Sequence, residues 1–271
     1  RVCKRRMFLC NDFFRILSRG VCSVYQALYR KWRPKVFSDV IGQEHITETL
    51  KKQVAEGRTS HAYLFTGTRG TGKTTCAKIL AKAVNCEHPV NGDPCCQCPS
   101  CIGLESGSFL DVLELDAASN NGVDQVRALR DEAIYAPANV KKRVYIVDEV
   151  HMLSTAAFNA LLKILEEPPA HLMFILATTE LHKVPATILS RCQRFSFRRI
   201  SQEDIAARLQ YVAYQESIDL DDGAARVLAR LADGAMRDGL SLLDQCASAT
   251  TGEVTAEKVY ECLGSRIRPR P

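Results

Sequence analysis

No apolar run in these 271 residues approaches the ~20 needed to span a bilayer as a helix, which excludes a helical membrane span. Disulfide logic is missing as well. Of twelve cysteines, four fall at a repeating spacing and eight are scattered without pairing pattern, which excludes a secreted disulfide scaffold and points to the reduced cytoplasm. Acid is nearly absent from the ends. Residues 1–35 hold ten Lys/Arg against one acidic residue, Asp12, and the tail from Ser265 to Pro271 adds three arginines. The formal net charge of +5 therefore comes from the termini, and the body between them is net acidic. Bulk charge gives no argument for nucleic-acid binding, and any DNA contact has to come from a local basic patch. Residues 1–23 also lack turn and capping signals. An Arg-rich, acid-poor mitochondrial presequence shares that composition, but an extension outside the folded core is the preferred reading. The prolines of the tail 265–271 do not continue a helix, so it reads as a disordered tail or a truncation.

What is present is more specific. Gly67-Thr68-Arg69-Gly70-Thr71-Gly72-Lys73-Thr74 is a full G-x4-G-K-S/T match, with Thr75 following. The apolar run from Ala62 to Phe65 precedes it and a helical stretch from Thr74 to Asn85 follows. That strand–loop–helix context separates a phosphate loop from a glycine-rich turn before an ordinary helix. The glycines let backbone N–H groups face a polyphosphate, and the helix adds its positive N-terminal end. Lys73 is placed for the β- and γ-phosphates of ATP and Thr74 for Mg²⁺.

Cys86, Cys95, Cys98 and Cys101 follow at C-x8-C-x2-C-x2-C. Two consecutive C-x2-C steps aim thiolates at one tetrahedral centre, and four thiolates leave no open position, so the spacing predicts structural Zn²⁺. Cys96 is off the repeat, and His88 stands near enough in sequence to offer a substitute ligand. No Lys or Arg lies between Cys86 and Cys101, which argues against a zinc-dependent nucleic-acid module and for a rigid knob for protein contacts.

Strand-like runs at 62–66, 111–115, 143–148, 172–178 and 193–197, with helical patterns between most of them, predict a parallel sheet in an α/β layer fold. Ser154 is placed to cap a helix to Glu167, with Phe158, Leu161, Leu162 and Leu165 on one face and Pro168-Pro169 as the stop. After Phe197 the strands end. Helical patterns at 202–216, 221–232, 236–248 and 255–263 predict a small all-α lid over 200–264 behind an α/β domain over 24–199, with the zinc module at 86–101 inserted. The strand from Arg143 ends in Asp148 and Glu149, placed to hold Mg²⁺ and to polarise an attacking water.

Residues and order together resemble a family. Asp148-Glu149-Val150-His151 resembles the acidic box of AAA+ clamp-loader ATPases. Ala177-Thr178-Thr179 resembles their sensor 1, Ser190-Arg191-Cys192 their trans-acting arginine motif, and Gly234 to Asp238, with Arg237, their sensor 2. Tyr25 to Pro34 and Asp39 to Gln43 resemble the adenine-enclosing segment, with Tyr29, Arg33, Pro34, Val40 and Ile41 at the base. With the four cysteines, the likeness narrows to the gamma/tau family of bacterial DNA polymerase III subunits, over Val24 to Gly264, and suggests a true start near Val24. It implies an ATP-driven subunit of a hetero-oligomeric ring that opens a sliding clamp and loads it on primed DNA within the polymerase III holoenzyme. Asp148 and Thr74 would hold Mg²⁺, Thr179 would sit near the γ-phosphate, Arg237 would reach the nucleotide from the lid, and Arg191 would reach a neighbour's γ-phosphate. The family's third, collar-forming domain is not matched, so this polypeptide is expected to bind ATP yet to assemble poorly and hydrolyse slowly alone. A non-hydrolysing structural subunit is disfavoured by the intact Gly72-Lys73-Thr74, and a helicase loader or chaperone of the same class would not explain the cysteines. No constellation for nucleotidyl transfer is present, so a polymerase label would reach the chain only through the holoenzyme.

Overall fold

A single parallel sheet carries the N-terminal part of the chain. The structure, a computed structural model, describes residues 25–264; the readings of 1–23 as an extension, of Val24 as a start and of 265–271 as a tail fall outside those residues. Strands β1 (Ala62–Thr66), β2 (Val112–Asp116), β3 (Arg143–Asp148), β4 (Leu172–Thr178) and β5 (Gln193–Ser196) lie in the order β2-β3-β4-β1-β5, with every neighbouring pair parallel. The apolar runs form central strands because both faces are covered. β1 and β4 are buried at every position, as a sheet with helices on both sides requires.

Strand alternation divides the core in two. Ala62, Leu64, Tyr145, Val147, Phe174 and Leu176 face α5 (Val123–Ala133) and α6 (Thr155–Glu166). Tyr63, Phe65, Val144, Ile146, Met173 and Ile175 face α2 (Glu44–Ala55) and α3 (Lys73–Asn85). Each fully buried Val, Leu, Ile, Phe or Met side chain among these contributes about 1.5–3 kcal/mol of transfer free energy. Ser154 caps α6 by accepting the Ala157 N–H at 3.2 Å.

Among the described residues beyond β5 the regular elements are helices, α8 (Gln202–Gln215), α9 (Asp222–Leu231), α10 (Met236–Ala249) and α11 (Ala256–Cys262); the short α7 (Ala186–Leu189) lies earlier, between β4 and β5. Ser201 caps α8 through the Asp204 N–H at 3.0 Å, and Asp221 caps α9 through the N–H groups of Gly223 and Ala224. The N-terminal helix α1 (Leu28–Lys31) docks on this helical part. Leu28 enters its core, Trp32 Nε1 donates to Glu216 Oε1 at 2.7 Å, and Lys31 pairs with the same carboxylate. The chain then crosses back to α2 through a 3-10 turn, Phe37–Asp39. Among the described residues no helix is long and apolar enough to cross a membrane.

Candidate functional site

The C-terminal ends of β1, β3 and β4 meet on one edge of the sheet, where a parallel α/β fold opens its crevice. The loop from Gly67 to Gly72 leaves β1 there and ends at Gly72 (φ 101), immediately before α3. Lys73 is buried, and its Nζ donates to the carbonyls of Gly67 and Thr68, each at 2.9 Å. Burial pulls the Lys73 pKa down, opposed by the charges of Glu149 and Asp148. Thr74 Oγ1 donates to Asp148 Oδ2 at 2.6 Å, joining the first turn of α3 to the end of β3. A hydroxyl and a carboxylate are hard oxygen donors, and the pair fits Mg²⁺. Glu149 stands in the left-handed region (φ 48), which turns its side chain toward β4. There its Oε2 accepts the Thr179 Oγ1–H at 2.9 Å and the Thr179 N–H at 3.2 Å. His151 Nδ1 lies 3.4 Å from the same oxygen and 3.1 Å from Thr178 Oγ1.

A cavity of about 880 Å³ runs from these groups to the helical part. Of the residues singled out from sequence, Tyr29, Arg33, Pro34, Val40, Ile41, Arg69, Gly70, Thr71, Gly72, Lys73, Thr74, Thr75, Asp148, Glu149 and Arg237 line it. Arg33 Nε donates to Thr75 Oγ1 at 3.2 Å, and burial lowers its pKa. The Arg237 guanidinium lies 4.9 Å from the Tyr29 ring centre. Gly70 (φ +77) packs so closely under the helical part that a Cβ there would stand 2.7 Å from the Ala235 Cβ, one residue before α10. Gln43 is fully buried and ties this corner together: its Nε2 donates to Arg198 O at 2.7 Å and its Oε1 accepts the Arg198 N–H at 3.1 Å.

Four of the residues predicted for the nucleotide site lie off the cavity wall. Gly67 and Thr68 act through their carbonyls on Lys73, and Thr179 acts through Glu149. Arg191 is on the surface after α7, where Nη2 pairs with Glu166 Oε1 at 2.7 Å and Nη1 donates to Thr187 O at 2.7 Å. The cavity also contains Trp32, Lys78, Glu114, Asp116, Arg208 and Met236. Sequence reasoning missed these. Trp32, inside the quoted segment from Tyr25 to Pro34, and Met236, inside the quoted Gly234 to Asp238, carried a signal; the others sit on β2, α3 and α8 with no local motif.

At the other end of α3, where the chain continues into the short α4 (Pro99–Glu105), the sulfur atoms of Cys86, Cys95, Cys98 and Cys101 lie within 4.8 Å of one another. Tetrahedral Zn–S bonds of about 2.3 Å require sulfurs about 3.8 Å apart, and Cys86 and Cys98 are 4.0 Å apart. Backbone N–H groups of Cys95, Cys98 and Cys101 point at Cys86, Cys95 and Cys98 sulfurs at 3.3–3.4 Å. The N–H groups of Gln97 and Cys98 hold the Cys95 thiol down to about 6. This donor set fits zinc, with these four thiols as the residues that would hold it. Cys96 turns away: its sulfur donates to the carbonyls of Pro94 and Lys35.

Known proteins give this geometry a context. The family model described as DNA polymerase III, delta subunit, matches residues 42–201, and the one described as DNA polymerase III clamp loader subunit, ATPase lid domain, matches residues 204–252. DNA polymerase III subunit tau of Bacillus subtilis is 58% identical over 224 residues, covering 83% of this chain and 40% of that protein. Subunit tau of Escherichia coli is 48% identical over 241 residues, covering 89% and 38%. Subunit gamma of Buchnera aphidicola from Acyrthosiphon pisum is 46% identical over 240 residues, covering 89% and 66%. The chain thus spans about 40% of the first of these relatives. A solved structure titled as the RuvB Holliday junction branch migration motor of Thermotoga maritima superposes with a TM-score of 0.64 at 18% identity, over 86% of this chain and 72% of that one. At that identity it establishes the AAA+ fold alone. Identities near one half over more than four fifths of the chain, with both family matches, settle the lineage: the chain belongs to the gamma/tau clamp-loader subunit family of bacterial DNA polymerase III.

Proposed function

We propose that this chain is an ATP-hydrolysing motor subunit of the replicative clamp loader, working in the cytoplasm in a hetero-oligomeric ring that opens the sliding clamp and closes it on primed DNA. The observation that carries the proposal is the 2.6 Å contact between Thr74 and Asp148 under the phosphate loop, with Glu149 beside it on a hydroxyl tether from Thr179. Backbone N–H groups from Gly70 to Thr74 receive the phosphates, and Lys73 turns its ammonium from the loop carbonyls to the β- and γ-phosphate oxygens. Mg²⁺ held by Thr74 and Asp148, when bound, neutralises charge on those phosphates. Glu149 accepts the proton of the attacking water, and Thr179 keeps that carboxylate aimed. Arg237 meets the nucleotide from the lid and so ties its state to the angle between the helical part and the sheet, a hinge-type switch. Arg191, at the surface beside Glu166, serves a neighbouring subunit's γ-phosphate; an arginine supplied in trans is worth ~10³–10⁵ in rate. Zinc held by the four thiols is structural.

The test is ATP turnover by this chain extended with a collar domain, with and without clamp, partner subunits and primed DNA. Turnover strongly stimulated only by the full set is expected. Turnover indifferent to clamp and DNA would leave a generic AAA+ ATPase and defeat the loader reading.

A further inference from the structure

The cysteine-bearing segment touches the chain that walls the cavity, and it does so through a carboxylate no motif marks. The 3-10 turn Phe37–Asp39 delivers Val40 and Ile41 to the cavity, and its preceding residue, Val36, provides no side-chain cap. Asp93 supplies one from 56 residues away: its Oδ1 accepts the Phe37 N–H at 2.6 Å. Its Oδ2 accepts the Ser38 hydroxyl at 2.6 Å and lies 2.9 Å from Lys51 Nζ, which also donates to Ser38 Oγ at 2.9 Å. The Asp93 side chain is only 14% exposed, so these charge-assisted bonds are little screened.

The carboxylate has no freedom to drift. Asp93 and Val90 exchange backbone hydrogen bonds at 2.9 Å in each direction. Gly92 (φ +84) packs on α2 so tightly that a Cβ would collide with the Lys51 carbonyl. Glu105 reinforces the same join by pairing with Lys35 and Lys82. The Asp93 bonds to Phe37 and Ser38 and the Glu105 pair with Lys35 act on the segment entering the base side of the cavity, and none of these bonds reaches the phosphate loop. We infer that Asp93 is a positioning residue for the base-facing wall of the nucleotide site, so that the cysteine module sets affinity for the base without touching the triphosphate. The inference rests on the reading of the cavity as an ATP site.

Equilibrium binding of a fluorescent ATP and of inorganic tripolyphosphate to the 271-residue chain tests it, with Asp93→Asn and Ser38→Ala as variants. An amide at 93 removes the charge and sets a donor against the Lys51 ammonium and the Ser38 hydroxyl. ATP affinity is expected to fall on the order of tenfold in Asp93→Asn and by less in Ser38→Ala, where the Phe37 bond survives. Tripolyphosphate, which engages the phosphate loop alone, keeps its affinity in both. Unchanged ATP affinity in Asp93→Asn overturns the inference, as does an equal loss for ATP and tripolyphosphate, the signature of a loosened fold. A wild-type chain that binds neither ligand overturns the nucleotide reading itself, and this inference with it.

Discussion

Replacing Thr179 by valine isolates one hydrogen bond in the proposed chemistry. Valine keeps the shape and the backbone N–H, so Glu149 retains the 3.2 Å amide contact and loses only the 2.9 Å hydroxyl contact. A hydrogen bond to a charged group is worth about 1.5–3 kcal/mol. The Glu149 side chain is 31% exposed, so water recovers part of that, and the loss belongs at the low end, about 1.5 kcal/mol. If the bond aims the general base in the transition state, hydrolysis slows by roughly tenfold. Nothing on the phosphate loop is disturbed, so ATP affinity should hold within about twofold, the pattern of an interaction made in the transition state alone. Single-turnover hydrolysis in the assembled loader at saturating ATP, alongside a nucleotide-binding titration, measures both quantities. An unchanged rate, or an affinity that falls as far as the rate, refutes the reasoning.

Three further outcomes are expected. Arg191→Ala should abolish DNA-stimulated turnover in the assembled complex while sparing ATP binding, measured by filter binding and phosphate release; equal loss of binding contradicts a trans role. Elemental analysis should show zinc falling in Cys101→Ser and retained in Cys96→Ser, because the Cys96 sulfur donates to carbonyls outside the thiol cluster. The Lys31 ammonium and the Trp32 N–H hold the Glu216 carboxyl below the usual carboxylate range. That contact therefore stabilises the fold above the unfolded-state value of about 4.3 and is lost as pH falls through the lower folded value. Thermal melts across acid pH should show a shallower decline in Glu216→Gln; an identical acid limb would remove Glu216 from the account.

Much of the frame was legible because its signals are local. The apolar runs of β1, β3 and β4 are continuous since helices cover both faces, and the phosphate loop and the cysteine steps are fixed-spacing motifs. β2 was legible as a strand but not as an edge, where Leu113 and Glu114 are exposed. The contacts that orient the site were hidden because they join distant positions. Glu149 meets Thr179 across 30 residues, Asp93 meets Phe37 across 56, and Gln43 meets Arg198 across 155. Nothing in the vicinity of Asp93 in sequence marks it as a cap for a turn that lies earlier in the chain. Arg208 escaped notice for a related reason: its guanidinium rests 5.1 Å from the Tyr211 ring centre and 5.9 Å from that of Trp32, a setting built only when α1 docks on α8.

The bare Cα of Gly70 against Ala235 has a mechanical meaning. With no room for a Cβ between Gly70 and Ala235, that point is an end-stop: the lid cannot press closer without displacing a peptide of the phosphate loop. Travel in one direction is thus set by a residue with no side chain, and even a methyl group at 70 would act as a shim, fixing a wider resting angle and carrying Arg237, two residues beyond Ala235, away from the phosphate loop.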